Sequence, residues 1–329
     1  MLKQIGTITA LTVVMLGMNA ATSPSASHLQ AAAGSPCDRS CLIGMIDRYL
    51  AAMVKHDPAG LPLGGSVKYT ENTATIQLGD GLWVGVSEGP TTFKIYAADP
   101  TAGQVGFFGI LKEFGRPAIL ALRLKVEKGK ITEIEHVVAR NIRGPGMESL
   151  ITPRPGLLEA VPPSERVSRQ QMLRIADSYF DSIEQNNGKV APFADDCVRH
   201  ENGTQTTTNK LPDPSVVDPL RLAIAKVDAL GCSDQMSSGN LAYITRIRPR
   251  RLLIVDEEKG LVFGFPMFVH RGNVRSVKIV GVPGVTSLPK EFGPINLQAG
   301  EIFKIRGGKI HEIEANGVLV PYGSGSGWE

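Results

Sequence analysis

Four consecutive polar side chains, Arg199, His200, Glu201 and Asn202, form the densest group in the chain able to do chemistry. They fall at the end of a segment, Phe193 to Glu201, that is predicted to be a β-strand. Neighbouring side chains on a strand point to opposite faces, so Arg199 and Glu201 share one face while His200 and Asn202 share the other. With the first pair turned inward, Arg199 could orient a carbonyl or carboxylate and Glu201 could act as a base. With the second pair turned inward, His200 would be the base. The plainer alternative is a cross-strand ion pair between Arg199 and Glu201, followed by a turn at Asn202-Gly203.

Other candidates lie apart from this group. Tyr69, Glu71 and Asn72 occupy the corresponding place in the first half of the chain, where Tyr stands for Arg and Thr70 for His. Glu and Asn persist, as a shared turn requires, whereas the changed pair is what one working and one degenerate pocket would show. Asp80 and Trp83, in Gly-Asp-Gly-Leu-Trp, could line a first pocket, the indole serving as a flat apolar wall; a hairpin turn with a packed Trp is the alternative. Arg246, Arg248, Arg250 and Arg251 are the one basic concentration. On a strand the first three share a face that could bind an anionic ligand, unless they mark a solvated edge strand. His136 and His311 read as surface residues of a hairpin, and His56 as a helix-end residue close to that helix's last carbonyls. A phosphate loop, a dinucleotide fingerprint, a Gly-x-Ser-x-Gly elbow and a His-Glu-x-x-His motif are all missing. That excludes kinases, common dehydrogenases, elbow-type esterases and common zinc proteases.

The elements that must position these residues occur twice. Gly129, Lys130, Ile131, Glu133, Ile134 and Glu135 return 179 positions later as Gly308, Lys309, Ile310, Glu312, Ile313 and Glu314, each set closing a strand, glycine turn, strand pattern. Upstream, the segment from Tyr49 to Asn72 aligns without a gap on Tyr179 to Asn202, 130 positions on, and Asp99, Gly103 and Val105 align on Asp256, Gly260 and Val262, 157 positions on. The growing offset places one insertion between Asn202 and Asp256 and a second between His270 and Glu301. A repeated unit of this size implies a duplicated domain.

A chain of 329 residues with 42% hydrophobic and 20% charged residues can bury two ordinary cores. Its 35 basic and 32 acidic residues are spread without a basic run, so nucleic-acid binding is not indicated. Lys3, an apolar run from Ile5 to Met18 and the small residues that follow predict a signal peptide within residues 1–33, cleaved between Ala20 and Ala33, with an uncleaved membrane anchor as the rival reading. The mature protein is then expected to be secreted or periplasmic and free of the membrane, since no later stretch is long enough to span one. Export favours two local disulfides, Cys37 with Cys41 and Cys197 with Cys232. Zinc is the rival, but Cys-x3-Cys without a nearby His pair fits its ligand spacings poorly, and neither a metal nor a cofactor is called for.

Leu42, Met45, Ile46, Tyr49, Leu50 and Met53 recur at helical spacing, and a run of short strands from Val67 to Ala139 follows, with Leu82 to Val86 among them. Met172 to Ile183 repeats the helix, and strands to the final hairpin repeat the meander. The expected boundaries are a first domain over 35–142, a Pro/Gly-rich linker over 143–164, a second domain over 165–321 and a flexible tail over 322–329. The fold class is α+β, as two tandem cone-shaped domains that each pack a helical N-terminal part in a curved antiparallel sheet.

This pattern resembles the nuclear transport factor two superfamily, including the SnoaL-like cyclases. The run Cys197-Val-Arg199-His-Glu201-Asn202-Gly203, with Thr206, Cys232 and Arg250-Arg251-Leu-Leu-Ile-Val-Asp256, resembles more narrowly an exported fungal and bacterial family of unknown function. The superfamily resemblance implies an apolar pocket at the open end of each cone and cofactor-independent proton transfer on a small molecule by a lyase, isomerase or hydrolase. In that reading Arg199, His200 and Glu201 are the catalytic candidates, with Asn202, Tyr69, Glu71, Asp80, Trp83 and Arg248 around the ligand. The competing expectation is a non-catalytic binding or assembly module whose domains pair within the chain or in a homo-oligomer.

Overall fold

The computed structural model describes residues 37–140, 142 and 146–329. The signal peptide expected over residues 1–33 lies outside them. Asp38 starts the first helix, α1 (Arg39–Val54), by accepting the Cys41 amide at 2.9 Å. The apolar residues spaced through α1 form its buried face. After it come β1 (Leu63–Glu71), β2 (Ala74–Thr75), a one-turn helix α2 (Leu82–Gly85), β3 (Val86–Glu88), β4 (Lys94–Asp99), β5 (Gln104–Glu113), β6 (Arg116–Glu127) and β7 (Lys130–Ala139). They make one seven-stranded sheet, ordered β2-β1-β7-β6-β5-β3, with β4 also on β5. The strand expected over Leu82 to Val86 is mostly helix instead. The Glu71 carboxylate accepts the Leu82 amide at 2.8 Å, and an anion at that position favours a helical start.

The linker carries two short helices, α3 (Gly146–Ser149) and α4 (Pro155–Leu158), and buries Leu150, Leu157 and Val161. The second half repeats the plan with α5 (Arg169–Glu184), β8 (Phe193–Glu201) and β9 (Thr204–Gln205). The first insertion adds α6 (Pro219–Asp228) and α7 (Cys232–Ser237). Then follow β10 (Arg246–Ile247), β11 (Leu252–Asp256), β12 (Leu261–Gly264) and β13 (Met267–His270). The second insertion is the hairpin β14 (Ser276–Lys278) and β15 (Ser287–Pro289), and β16 (Ile295–Arg306) and β17 (Lys309–Pro321) close the sheet. Its order is β10-β13-β16-β17-β8-β9, with β12 joining β11 to β16.

Each sheet contains one parallel pair, β1 on β7 and β8 on β17, and the registers repeat residue by residue. Leu63 pairs with Ile131 as Phe193 pairs with Ile310, and Glu71 pairs with His136 as Glu201 pairs with Ala315. Even the register shift recurs, between Lys125 and Val126 in β6 and between Lys304 and Ile305 in β16. Both hairpins turn through two residues of positive φ, Lys128-Gly129 and Gly307-Gly308, the primed turn whose twist suits adjoining strands. Such irregularities bend a sheet. Here both sheets curl, each around its own helix, to give a mixed α+β structure with two half-barrels.

The half-barrels meet back to back through Phe108, Ile119, Ala121, Phe263, Phe265 and Ile302. Residues at the centre of this contact face their own repeat counterparts. A Cβ on Gly300 would collide with Ala121, 179 positions earlier, and one on Gly106 would collide with Phe263, 157 positions later. Asn316 Nδ2 donates to the Val137 carbonyl, again its counterpart, at 2.9 Å. That is the geometry of an isologous, two-fold contact within one chain. The aspartates astride the axis exchange partners. Asp99, buried, accepts the Val255 amide at 2.9 Å and Arg169 at 2.6 and 2.8 Å; Asp256, buried, accepts the Ala98 amide at 3.0 Å and Arg39 at 2.6 Å.

Both expected disulfides are present, Cys37–Cys41 and Cys197–Cys232. The first avoids the interior of a regular helix because α1 begins only at Arg39. Residues 322–329, flexible by composition, end in a clasp: Trp328 Nε1 donates to Thr70 Oγ1 at 3.0 Å, and Lys68, Arg123 and Arg251 lie over its ring at 4.5, 4.5 and 5.3 Å. Among the described residues no helix is long and apolar enough to cross a membrane.

Replacing Asp99 or Asp256 by alanine removes the partner of a half-buried arginine and strands at least one buried amide. Each change is expected to cost about 2–4 kcal/mol in urea unfolding. An unchanged midpoint for either variant would show that this axis does not join the halves.

Candidate functional site

The two half-barrels differ in what fills them. In the first, buried side chains form a directed chain of hydrogen bonds. Trp83 Nε1–H donates to Tyr49 Oη at 2.8 Å, and Tyr49 Oη lies 2.9 Å from His136 Nε2. His136 Nδ1 is 3.1 Å from Tyr69 Oη, which donates to Glu71 at 3.3 Å. The ring of His136 thus links the two tyrosines, and Tyr69 donates onward to Glu71. Arg140 completes the series at 2.8 Å from Glu71. Burial raises the pKa of Glu71, but His136, Arg140 and the Leu82 amide outweigh it and hold the carboxyl at about 2.

In the second half-barrel the equivalent interior is a cavity of about 110 Å³, lined by Arg199, Glu201, Tyr243, Phe268, His270 and Glu301 among others. Inward positions of the two paired strands explain the opening. Leu120, Leu122, His136 and Val138 of the first half correspond to Ala299, Glu301, Ala315 and Gly317, and the pairs Leu122 with His136 and Glu301 with Ala315 occupy identical register. Three large side chains have become small, and a leucine has become a carboxylic acid. Packed interiors seldom leave such space unfilled.

Three buried polar atoms around this cavity have no partner among the described residues: Arg199 Nε, Glu301 Oε2 and His270 Nδ1. Arg199 is 3% exposed and Glu301 2%. Arg199 spends one amino group on Gln235 Oε1 at 2.5 Å and the other on Glu201, and its guanidinium stands 5.7 Å from the Tyr179 ring. Gln235 sits on α7 three residues after Cys232, and Cys197 precedes Arg199 by two on β8, so the disulfide fixes the helix that orients the arginine. Glu201, by contrast, has a side chain 52% exposed at the mouth. Burial, opposed by Arg199, pushes Glu301 up to about 8, so at neutral pH it is chiefly a neutral acid and a hydrogen-bond donor. Burial alone brings His270 down to about 4, leaving it neutral.

Distance decides which groups can act together. Glu201, Ala315 and Glu301 lie abreast on three neighbouring strands, so the two carboxyl-bearing backbones are ~10 Å apart with Arg199 beside them. His270 pairs with Ile295, six residues before Glu301 on β16 and up to ~20 Å along the strand, where it packs against Tyr243 and Phe292. Glu301 and Arg199 therefore define one end of the cavity, and His270 the opposite one. Chemically, a cation, a neutral acid and apolar walls suit an oxygen-bearing small molecule. Among the described residues no group of three or more His, Cys, Asp or Glu side chains is placed to hold a metal.

The expected site residues separate accordingly. Arg199 and Glu201 face the cavity, whereas His200 points to the other side of the sheet, 2.6 Å from Arg154 of the linker, with burial and that cation lowering it to about 4. Asn202 borders the cavity, but its amide is bound to the Gly317 backbone at 2.9 and 3.1 Å, as Asn72 is to Val138, so in both halves it closes the sheet. Tyr69, Glu71 and Trp83 belong to the filled first interior, and Asp80 is exposed on its turn. Arg248 is exposed and paired with Glu184 at 3.3 Å; β10 is an edge strand, while Arg250 turns in to Asp181 and Glu184, and Arg251 reaches Glu135. His136, expected on the surface, is fully buried, because β7 pairs on both sides. His56 bonds the Trp83 carbonyl rather than its own helix, and His311 pairs with Asp196. Glu301, Tyr179 and His270 also line the cavity, and no motif in the sequence marks them. The replacement of Leu122 by Glu301 inside the repeat was the signal for the first.

A family model described as Domain of unknown function (DUF8021) matches residues 165–317, which span α5, the second sheet to Gly317 and both insertions. No curated protein matches the chain. Among solved structures it is similar to AclR from Streptomyces galilaeus, a protein provisionally assigned as a hydroxylase, with 13% identity over 46% of this chain and 80% of that one, at a TM-score of 0.26.

A carboxyl whose pKa is raised by folding binds more protons in the native state than in the unfolded chain, so it lowers stability as pH rises from about 4.5 to about 8. Glu301→Gln cannot ionise. It is expected to match wild type in urea unfolding at pH 4.5 and to exceed it at pH 8 by on the order of 2–4 kcal/mol. Equal stability of the two proteins at pH 8 would mean that Glu301 is not held in a dry site.

Proposed function

We propose that the second half-barrel is the reaction chamber of an exported, cofactor-independent acid–base enzyme, a lyase, isomerase or hydrolase acting on a small, partly apolar molecule. The observation that carries this reading is the replacement of Leu122 by Glu301 where neighbouring side chains have shrunk, which sets a buried acid in an open cavity. A core gains nothing from such an exchange, because an unpartnered buried carboxyl costs stability. Glu301 is assigned as proton donor and Arg199 as the group that orients the substrate oxygen, with Glu201 at the mouth. The two half-barrels are, in this proposal, tandem cone-type units of the SnoaL-like kind, and the repeated registers support that descent. Two disulfides support folding in an oxidising compartment. The filled first interior favours a second reading for that half alone, as a non-catalytic partner that stabilises the pair.

A thermal-shift screen of small, partly apolar compounds is expected to raise the melting temperature of wild type, since a ligand at a hundred times its Kd stabilises by ~2.7 kcal/mol. Ala299→Leu, which restores the residue type of Leu120, is expected to fold and to respond to none of them. Compounds that bind should be altered by wild type, as followed by NMR, and bound unchanged by Glu301→Gln. If wild type shifts with nothing, the chamber is no ligand site; if it binds but alters none, the protein is a binding module.

A further inference from the structure

We propose that the molecule taken by this chamber is a small monocarboxylate with an apolar body, one carboxylate oxygen accepting from Arg199 Nε and the other from Glu301 Oε2. The inference rests on the reading of the cavity as a ligand chamber and adds the chemical class. Arg199 is a cation almost wholly removed from water, yet its one carboxylate partner, Glu201, is half in solvent and screened accordingly. The Nε–H of the guanidinium is buried, unpartnered among the described residues and beside the cavity. A buried cation without a close anion is costly, and a ligand anion removes that cost. Glu301 presents the second free polar atom in the same cavity.

Size and number of donors narrow the class. The two free groups suit the two oxygens of a planar carboxylate, whereas a phosphate brings more oxygens and more charge than they can satisfy. The volume of about 110 Å³ is below that of the ~150 Å³ cavity known to hold benzene, so the body of the ligand is a few carbons or one small ring. Ile183, Leu241, Phe268 and Leu297 supply its walls. Glu301 can donate to an anion only while protonated, so ligand binding and proton binding are coupled. The charged and titratable groups facing it are Arg199 and Glu201 from β8 and Tyr179 from α5, with His270 and Tyr243 at the far end. Arg199 and Tyr179 both titrate well above this range and His270 below it.

The test is calorimetric titration of the full chain with sodium butyrate, butyramide and sodium phosphate at pH 7 and pH 9. Butyrate is expected to bind at least about tenfold more tightly than butyramide, and phosphate not to bind. Wild-type affinity for butyrate should fall about tenfold from pH 7 to pH 9, since a group titrating at about 8 is then mostly ionised. Glu301→Gln, whose amide still donates, should bind butyrate equally at both pH values. Arg199→Lys, shown folded by circular dichroism, should lose about tenfold or more. Butyramide binding as well as butyrate, a preference for phosphate, or an Arg199→Lys protein with full affinity would overturn the carboxylate and leave the chamber standing. No binding by butyrate or butyramide in a protein that responds to none of the screened compounds would remove both.

Discussion

The reciprocal exchange between Asp99 and Asp256 is the constraint on which the rest of the structure depends. Each carboxylate satisfies a backbone amide and an arginine from the opposite half, so neither half-barrel has a complete set of buried polar partners alone. Because the exchange is two-fold, it sets sheet against sheet with Ala121 over Gly300 and Gly106 over Phe263, where extra bulk would collide. A contact this close permits little sliding. It fixes the backs of both sheets and leaves their inner faces free to diverge.

They have diverged in opposite directions. The first interior is closed by a series from Trp83 to Arg140 in which each donor meets an acceptor, and such satisfied networks rigidify a core. The second keeps the tyrosine of the helix, Tyr179 for Tyr49, but exchanges Tyr69 for Arg199 and His136 for Ala315, so the series cannot form. What remains is a void bordered by unpartnered polar atoms, a state that natural cores avoid and that ligand sites use. A filled interior and an open one have thus been divided between two half-barrels of one plan.

The insertions belong to the same division, since only the second copy has them. α6 packs through Val227 on Val277, Ile279 and Leu288 of the second insertion, so the two segments form one satellite core. From it come Gln235, which holds Arg199, and the segment carrying Leu241, Tyr243 and Ile244, which walls the cavity. Lys290 lies 4.7 Å from the Tyr243 ring and 2.9 Å from Asn240, tying that wall down. The Cys197–Cys232 link joins this satellite to the strand that bears the arginine.

The repeat, its offsets, both helices and both disulfides could be derived from the sequence because they rest on local periodicity and on identical residues at fixed spacing. The anchor of Asp99 on Asp256 was visible in the same way, and so was the exchange of Leu122 for Glu301. Which face of β8 looks inward was not, since a period of two names two faces and only packing against α5 selects Arg199 over His200. The burial of His136, the helical turn at Leu82 and the anchoring of Trp328 likewise depend on partners that no local period reveals, from 11 residues away for Leu82 to 258 for Trp328. By itself the sequence determined that one pattern recurs and where its two occurrences differ. Only the tertiary structure decided that one interior is sealed and the other hollow, because a cavity is the sum of side chains converging from separate strands, and no single strand records it.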